Sequence, residues 1–373
     1  MRLAFLDTCG WEYSALTPLE RPTGGSQSAL CYLTVELAKL GHEIVVFNGT
    51  PDLVRQSGVQ FCHQHQFGRR YPYNGYFDVV IGLNGAYGRA LRDTYKVKSP
   101  LVLWNHHAHF QPPIKGLKDR DEQDAWDAIV FVSASQRDGY AGFGIDPAKT
   151  VVMHNGVSPA FENVALPTPW FATGEPPILF YTSTPYRGLD VLLHAFPHIR
   201  DAIPKVRLKV FSSMAVYRLS DKEFAPLYDQ AKSMVGVDYV GSVGQAELAQ
   251  KLAGYAALAH PSTFPECHSI AAIEAMAVGA AVMTTDLGGQ REATGGWAQM
   301  IPPQSDKTEL AYAYAHMVST VLRRFREDPE GAEEDRQARI QYVRDHYLWK
   351  DRAKAWSELL STLAPEKAEQ AAR

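Results

Sequence analysis

The chain is poor in cysteine. Its 373 residues hold four, Cys9, Cys31, Cys62 and Cys267, with no CxxC spacing and no framework pattern. That argues against a disulfide-stapled domain or a zinc ribbon, and free thiols suit a reducing, cytoplasmic setting. No uninterrupted apolar run approaches the ~18 residues of a membrane-spanning helix. The opening MRLAFLDTCGWEYSA enters a strand-like run directly, without the apolar region of roughly 7–15 residues that marks a signal peptide. Charge of one sign is scarce as well: 37 basic against 41 acidic residues leave a net charge of −4, so no nucleic-acid partner is expected. There are no repeats, and the one biased tract is the polar, Ala/Glu-rich tail after Leu363. The glycines do not form GxGxxG, so a dinucleotide fingerprint is not supported.

What is present is enough chain for two domains of ordinary size, with 46% hydrophobic residues to fill their cores. Residues 3–6 read as a buried strand, 7–23 as a long loop ending in Thr23-Gly24-Gly25, and 26–40 as a helix with Leu30, Leu33, Leu37 and Leu40 at helical spacing. Residues 43–47 read as the next strand, which makes the opening of a parallel α/β sheet. Strands follow at 77–83, 101–104, 128–132 and 150–153. A stretch at 158–177 with Pro159, Pro167, Pro169, Pro176 and Pro177 reads as an interdomain linker. A second α/β series then begins: strand 178–181, loop 182–188, helix 189–199, strands 206–211 and 237–240, helix 245–255, strand 257–260. Helices dominate from Lys307 on, and Trp349 and Trp356 on the last one predict that it docks, most simply on the first domain.

Two places concentrate chemistry. Residues 261–289, PSTFPECHSIAAIEAMAVGAAVMTTDLGG, read as loop, helix, strand and loop, with Glu266 on the loop and Glu274 eight positions on. The helix is expected to start near His268 or Ser269, whose hydroxyl can cap its first N–H groups. Glu274 then falls on or beside the apolar side of Ile270, Ile273, Ala277 and Val278, where a carboxylate needs a partner. A sugar diol supplies two hydroxyl donors; an arginine would serve as a purely structural partner. The other place is Asn105-His106-His107-Ala108-His109, past the carboxyl end of a strand, where α/β sheets bind ligands. No Cys or carboxylate at motif spacing completes a metal set around these histidines, so no metal is expected. A Gly-Gly pair before a helix lets backbone N–H groups approach a phosphate or sugar; a plain tight turn explains it equally well.

The Gly24-Gly25 loop, HNGV at 154–157, YRGLDVLLHAFP at 186–197 and FPECHSIAAIEAMAVGAAVMTTDLGG at 264–289 together resemble the GT-B glycosyltransferases of family 4, over about residues 1–356. E-x7-E alone is common by chance; in this order and context it is specific. The resemblance implies two Rossmann-like domains with parallel sheets facing a central cleft. Residues 1–160 would form the acceptor side, joined by a helix at about 345–365 that packs back on it. Residues 161–177 would be the linker and 178–344 the nucleotide-sugar domain.

It also implies a retaining, metal-independent hexosyl transfer without a cofactor, from a UDP-sugar or GDP-mannose to a hydroxyl of a glycan, a lipid-linked sugar or a protein. Glu274 is similar to the ribose-holding Glu and Glu266 to the Glu at the sugar ring. Ser269 and Ile270 match the helix start at the diphosphate, and Gly24 and Gly25 match the glycines that approach it. His106 matches a His near the sugar and its 6-hydroxyl; His107 takes a position that is often Asp. Arg187 stands where the family has a phosphate-binding Lys. The Arg that usually precedes that Lys is replaced by Thr182, Ser183 and Thr184, so Arg187 is expected as the main fixed cation, with Tyr186 or a hydroxyl assisting. An Arg there changes a point charge into a bidentate fork. A GT-B epimerase, a phosphorylase and a non-catalytic nucleotide-sugar-binding subunit stay open beside this reading. Weak peripheral contact with an anionic membrane, through residues 64–74 and 115–120, also stays open.

Overall fold

A computed structural model describes residues 1–364. The Ala/Glu-rich tail from 365 on lies outside the described residues. The chain divides into two compact units. One comprises Met1–Thr17, Ser26–Asn155 and residues 349–364; the other comprises Pro18–Gly25 and Gly156–Leu348.

Among the described residues the first unit has eight strands: β1 (Arg2–Leu6), β2 (Glu43–Asn48), β3 (Val54–Gln56), β4 (Val59–His63), β5 (Val79–Leu83), β6 (Leu101–Asn105), β7 (Ala128–Phe131) and β8 (Thr150–Val152). Their order is β3-β4-β2-β1-β5-β6-β7-β8, and only β3 runs antiparallel, paired to β4. The strands β1, β2 and β5–β7 are near-continuous apolar runs because both faces are covered, as a parallel sheet requires. Tyr71, in the stretch 64–74 considered for surface contact, is core: its ring meets Phe47 at 5.5 Å and Phe77 at 5.8 Å. The helix Trp349–Leu363 is bound into this unit by its tryptophans, Trp356 lying 5.1 Å from Trp104 and Trp349 6.2 Å from Tyr32.

The second unit has six parallel strands among the described residues: β9 (Ile178–Tyr181), β10 (Arg207–Val210), β11 (Val237–Tyr239), β12 (Ala257–His260), β13 (Ala281–Thr285) and β14 (Gln299–Ile301), in the order β11-β10-β9-β12-β13-β14. The stretch expected as a linker, 161–177, packs within this unit, because Phe161 and Trp170 are buried there. The segment Pro18–Gly25 also belongs to it, where a Cβ on Gly244 would lie 2.6 Å from the Glu20 carbonyl carbon. Residues 17–20, inside the expected long loop, form a short helix.

In each sheet the strand order reverses at one place, between β1 and β5 in the first and between β9 and β12 in the second. The loops leaving the carboxyl ends of such neighbours diverge to opposite faces and leave a crevice, the usual ligand position in an open α/β sheet. No helix among the described residues is long and apolar enough to cross a membrane.

Candidate functional site

The reversal between β9 and β12 brings loop 182–188 against loop 261–269. Gly188 makes the contact: its φ is +110°, and a Cβ there would stand 2.1 Å from the Pro261 carbonyl oxygen. A side chain is therefore barred twice, by backbone conformation and by space. The turn Pro185–Arg187 precedes it, with the Arg187 N–H donating to the Thr184 carbonyl at 3.2 Å. On the far side, Gly288 and Gly289 support loop 261–269. Glu266 bridges to Gly288, and the Gly289 N–H donates to the Glu266 carbonyl at 2.6 Å. A Cβ on Gly289 would lie 2.2 Å from the Cys267 carbonyl oxygen.

These backbones deliver Arg187 to Glu266. Arg187 Nη1 donates to Glu266 Oε2 at 2.5 Å, and Nη2 to the Tyr217 hydroxyl at 3.3 Å. The guanidinium lies 4.7 Å from the Phe264 ring centre and 5.6 Å from that of Tyr186. Burial works against the arginine's charge, but Glu266, Tyr217 and Tyr186 more than offset it and hold its pKa well above the ordinary value. The residues come from positions 79 apart in sequence. Thr184 is buried beside them, its hydroxyl without a hydrogen-bond partner among the described residues.

Ser269 caps the next helix, Ile270–Ala277, its Oγ accepting from the Ala272 N–H at 3.3 Å. One face of that helix packs into the core through Ala272, Ile273, Ala275 and Met276. Glu274 lies among them, only 4% exposed. Burial pushes its pKa up to about 8, against the pull of a side-chain hydrogen bond from Gln245. Among the described residues no cation pairs with it. Gly24 and Gly25 have no positive φ, so neither needs glycine's backbone freedom. A Cβ on Gly25 would sit 3.4 Å from Ile270 Cδ1, which sets Gly25 against the start of that helix.

In the first unit His106 follows β6. Its N–H donates to Asn84 Oδ1 at 2.7 Å, its ring lies 4.7 Å from that of Trp104, and Nε2 is 3.1 Å from Asn155 Oδ1. A carboxamide oxygen only accepts, so Nε2 carries the hydrogen. Burial drives the pKa of His106 down to about 3, so the ring is neutral. The His107 N–H donates to Asn105 Oδ1 at 2.9 Å, and its carbonyl accepts from Gln136 and Tyr140. Among the described residues no three His, Cys, Asp or Glu side chains converge as a metal set. Beyond β1, at the other reversal, Asp7 accepts from the Tyr13 hydroxyl at 2.7 Å, Gln27 Nε2 at 3.0 Å and the Cys9 N–H at 3.1 Å.

Arg187, Thr184, Glu266, Ser269, Ile270 and Glu274 thus share one strand edge of the second unit, with Gly24 and Gly25 in the same unit; His106 and His107 sit at a strand edge of the first. Sequence reasoning missed Tyr217, Gln245, His260, Gln290, Asp7 and Asn155. Asn155 was within reach, since it belongs to HNGV. The others carry no local motif.

Residues 175–320 match the family described as Glycosyl transferases group 1. No curated protein sequence matches the chain. Among solved structures, sucrose-phosphate synthase from Thermosynechococcus elongatus is similar at 16% identity, with a TM-score of 0.71 over 97% of this chain and 98% of that one. Anabaena HepE, solved in complex with UDP-glucose, is similar at 17% identity and TM-score 0.68, over 97% of this chain and 100% of that one. A glycosyltransferase from Rickettsia africae is similar at 15% identity and TM-score 0.70, over 97% and 98%. At such identities the likeness is one of fold. The family match lies within the second unit, and the chain has the GT-B fold.

Proposed function

We propose that this protein moves a hexose from a nucleotide sugar to a hydroxyl acceptor, with retention of configuration and without a metal. The observation that carries the reading is the Arg187–Glu266 pair at the strand reversal, beside the capped start of the helix that buries Glu274. Cleaving a glycosyl phosphate needs charge stabilisation at the departing diphosphate and support for an oxocarbenium-like sugar. Arg187, the Thr184 hydroxyl and the free N–H groups of the helix start at Ser269 and Ile270 supply the first. The backbone at Gly24 and Gly25 approaches the same diphosphate. Glu266 orients the sugar. Glu274 accepts from the ribose hydroxyls, a pair of donors that suits a buried carboxylate with no cation. His106, neutral, and His107 are assigned to hydroxyls of the sugar.

The acceptor hydroxyl attacks on the face the diphosphate leaves. The new C–O bond forms as the C–O bond to phosphate breaks, and the hydroxyl proton passes to the departing phosphate oxygen. A UDP-sugar is favoured over GDP-mannose, in line with the UDP-glucose complex of the Anabaena neighbour. The acceptor is a hydroxyl of a glycan, a lipid-linked sugar or a protein, and the setting is cytoplasmic.

The test is incubation with a panel of UDP- and GDP-sugars, with free nucleotide and the anomeric configuration of the product as readouts. Nucleotide release with a retained anomer is expected. Conversion without acceptor means an epimerase, dependence on inorganic phosphate a phosphorylase, and tight binding without turnover a binding subunit. No release and no binding with any donor overturns the reading.

A further inference from the structure

Glu266 has two carboxylate oxygens, and only one is accounted for by Arg187. The other, Oε1, faces the ring of His260, whose Nε2 lies 4.0 Å away. His260 closes β12 and is 1% exposed, its ring edge-on to Tyr181 at 5.5 Å. On the opposite side of the imidazole, Gln290 Nε2 lies 3.5 Å from His260 Nδ1. Gln290 opens the short helix Gln290–Thr294, directly after Gly289, so the loop that supports the Glu266 backbone also carries Gln290.

With the Gln290 amide nitrogen facing Nδ1, as in the structure, these three groups favour one arrangement. An amide NH2 only donates, so in that orientation Nδ1 presents its lone pair. The proton then sits on Nε2 and points towards the carboxylate. In the opposite tautomer the Nδ1–H would face the amide hydrogens, and the Nε2 lone pair would face Glu266. Which imidazole nitrogen carries the proton is set by the bond the other one makes. Burial holds His260 neutral, with a pKa near 4, so its contribution to Glu266 is a dipole and a donor, not a second positive charge.

We propose that Gln290 and His260 are positioning residues that form a relay, with Gln290 selecting the Nε2–H tautomer of His260 and His260 holding Glu266 from the side opposite Arg187. The proposal rests on the reading that Glu266 stands at the transferred sugar. Its consequence is that Glu266 does not depend on Arg187 alone. When a donor diphosphate draws on the guanidinium, the carboxylate keeps a second partner, and the 4.0 Å separation closes towards a hydrogen bond.

The deciding measurement is nitrogen NMR of the full chain labelled at histidine, without ligand, at pH 7. His260 is assigned by the signal lost in His260→Asn. Wild type should show a neutral ring protonated at Nε2. Gln290→Glu puts an acceptor opposite Nδ1, so the ring should gain a proton there, as the reversed tautomer or as imidazolium. With an active donor, Gln290→Glu should lower kcat roughly tenfold or more while the donor KM stays within about twofold, the pattern of lost positioning, not lost binding. An Nδ1–H ring in wild type, or a ring unchanged in Gln290→Glu, overturns the relay. Neither reading needs turnover, so a failed transferase assay leaves this result intact. Should Gln290→Glu not fold, the wild-type tautomer alone still decides.

Discussion

The two sheets end in different kinds of polar cluster. Beyond β1 and β6 the groups are matched with neutral partners: Asp7 accepts from Tyr13, Gln27 and Cys9, and His106 is held uncharged between Asn84, Trp104 and Asn155. Beyond β9 and β12 lie a buried ion pair and a buried acid that keeps its proton at neutral pH, both only partly matched. Arg187 pairs with one oxygen of Glu266, whereas Glu274 is buried beside the Gln245 amide with no cation among the described residues. The first edge therefore shows no ion pair among these groups, although Asp7 is buried among neutral donors and His106 Nδ1 has no partner among the described residues. The second holds electrostatic cost that a ligand with hydroxyl donors and an anionic diphosphate would relieve. Folds keep such cost at places where binding or chemistry depends on it.

Arg187→Ala breaks this contrast most severely. It should lower kcat by about 100- to 1000-fold, the usual cost of losing a preorganised charge partner of a developing anion. It also strands Glu266, which should destabilise the protein by ~3–5 kcal/mol in urea unfolding. A variant as stable as the parent would mean the pair is not the tight buried one described. Arg187→Lys keeps the charge and loses the fork, and should fall between.

Glu274→Gln acts in the opposite direction on stability. With its folded pKa near 8, against an ordinary 4.5, Glu274 keeps in the folded state a proton that the unfolded chain has lost. Stability therefore falls as pH rises through that window, by up to ~1.4 kcal/mol per unit, or on the order of 3 kcal/mol by pH 7. The Gln variant should melt higher than the parent at pH 7.5, equal it near pH 4.5, and bind nucleotide sugar more weakly. A parallel pair of melting curves across this range would remove the electrostatic cost assigned to this edge.

Gly188→Ala tests the backbone contact that joins the two loops. The positive φ alone costs ~1–3 kcal/mol, and the clash with Pro261 forces the loops apart. Urea unfolding reads the loss, and nucleotide-sugar affinity should fall with it.

The smallest effects belong to the first unit. Asn155→Ala should cost ~1 kcal/mol, one neutral hydrogen bond. His106 refuses in the folded state a proton that the unfolded chain takes up below its ordinary pKa of 6.5. Its share of stability is thus lost as pH falls from about 6.5 towards 3, and His106→Gln should flatten that limb. Between pH 6.5 and 8 neither variant should change the shape of the pH–rate profile. A new titration there would narrow the contrast between the two edges.

Much of the architecture is legible in the residues. The strands at Ile178–Tyr181 and Ala257–His260 are bounded as their apolar runs suggest, and Ser269 caps the helix it was expected to cap. The short β3–β4 pair and β14 were not legible, because three to five residues carry too little periodicity. Nor was the assignment of Pro18–Gly25 to the second unit, which depends on close backbone packing at Gly244.

The sequence by itself determined the alternation of strands and helices and the capped helix start at Ser269, which separates Glu266 on the loop from Glu274 on the helix. These follow from local periodicity and capping, which act over a few residues. Only the tertiary structure decided that Glu266 meets Arg187 and His260, that Glu274 meets Gln245 and no cation, and that Asn155 fixes His106. Apart from Glu266 and His260, six positions apart, those pairings join positions far apart in the chain, and the order of strands in each sheet, which no local pattern encodes, is what brings them together.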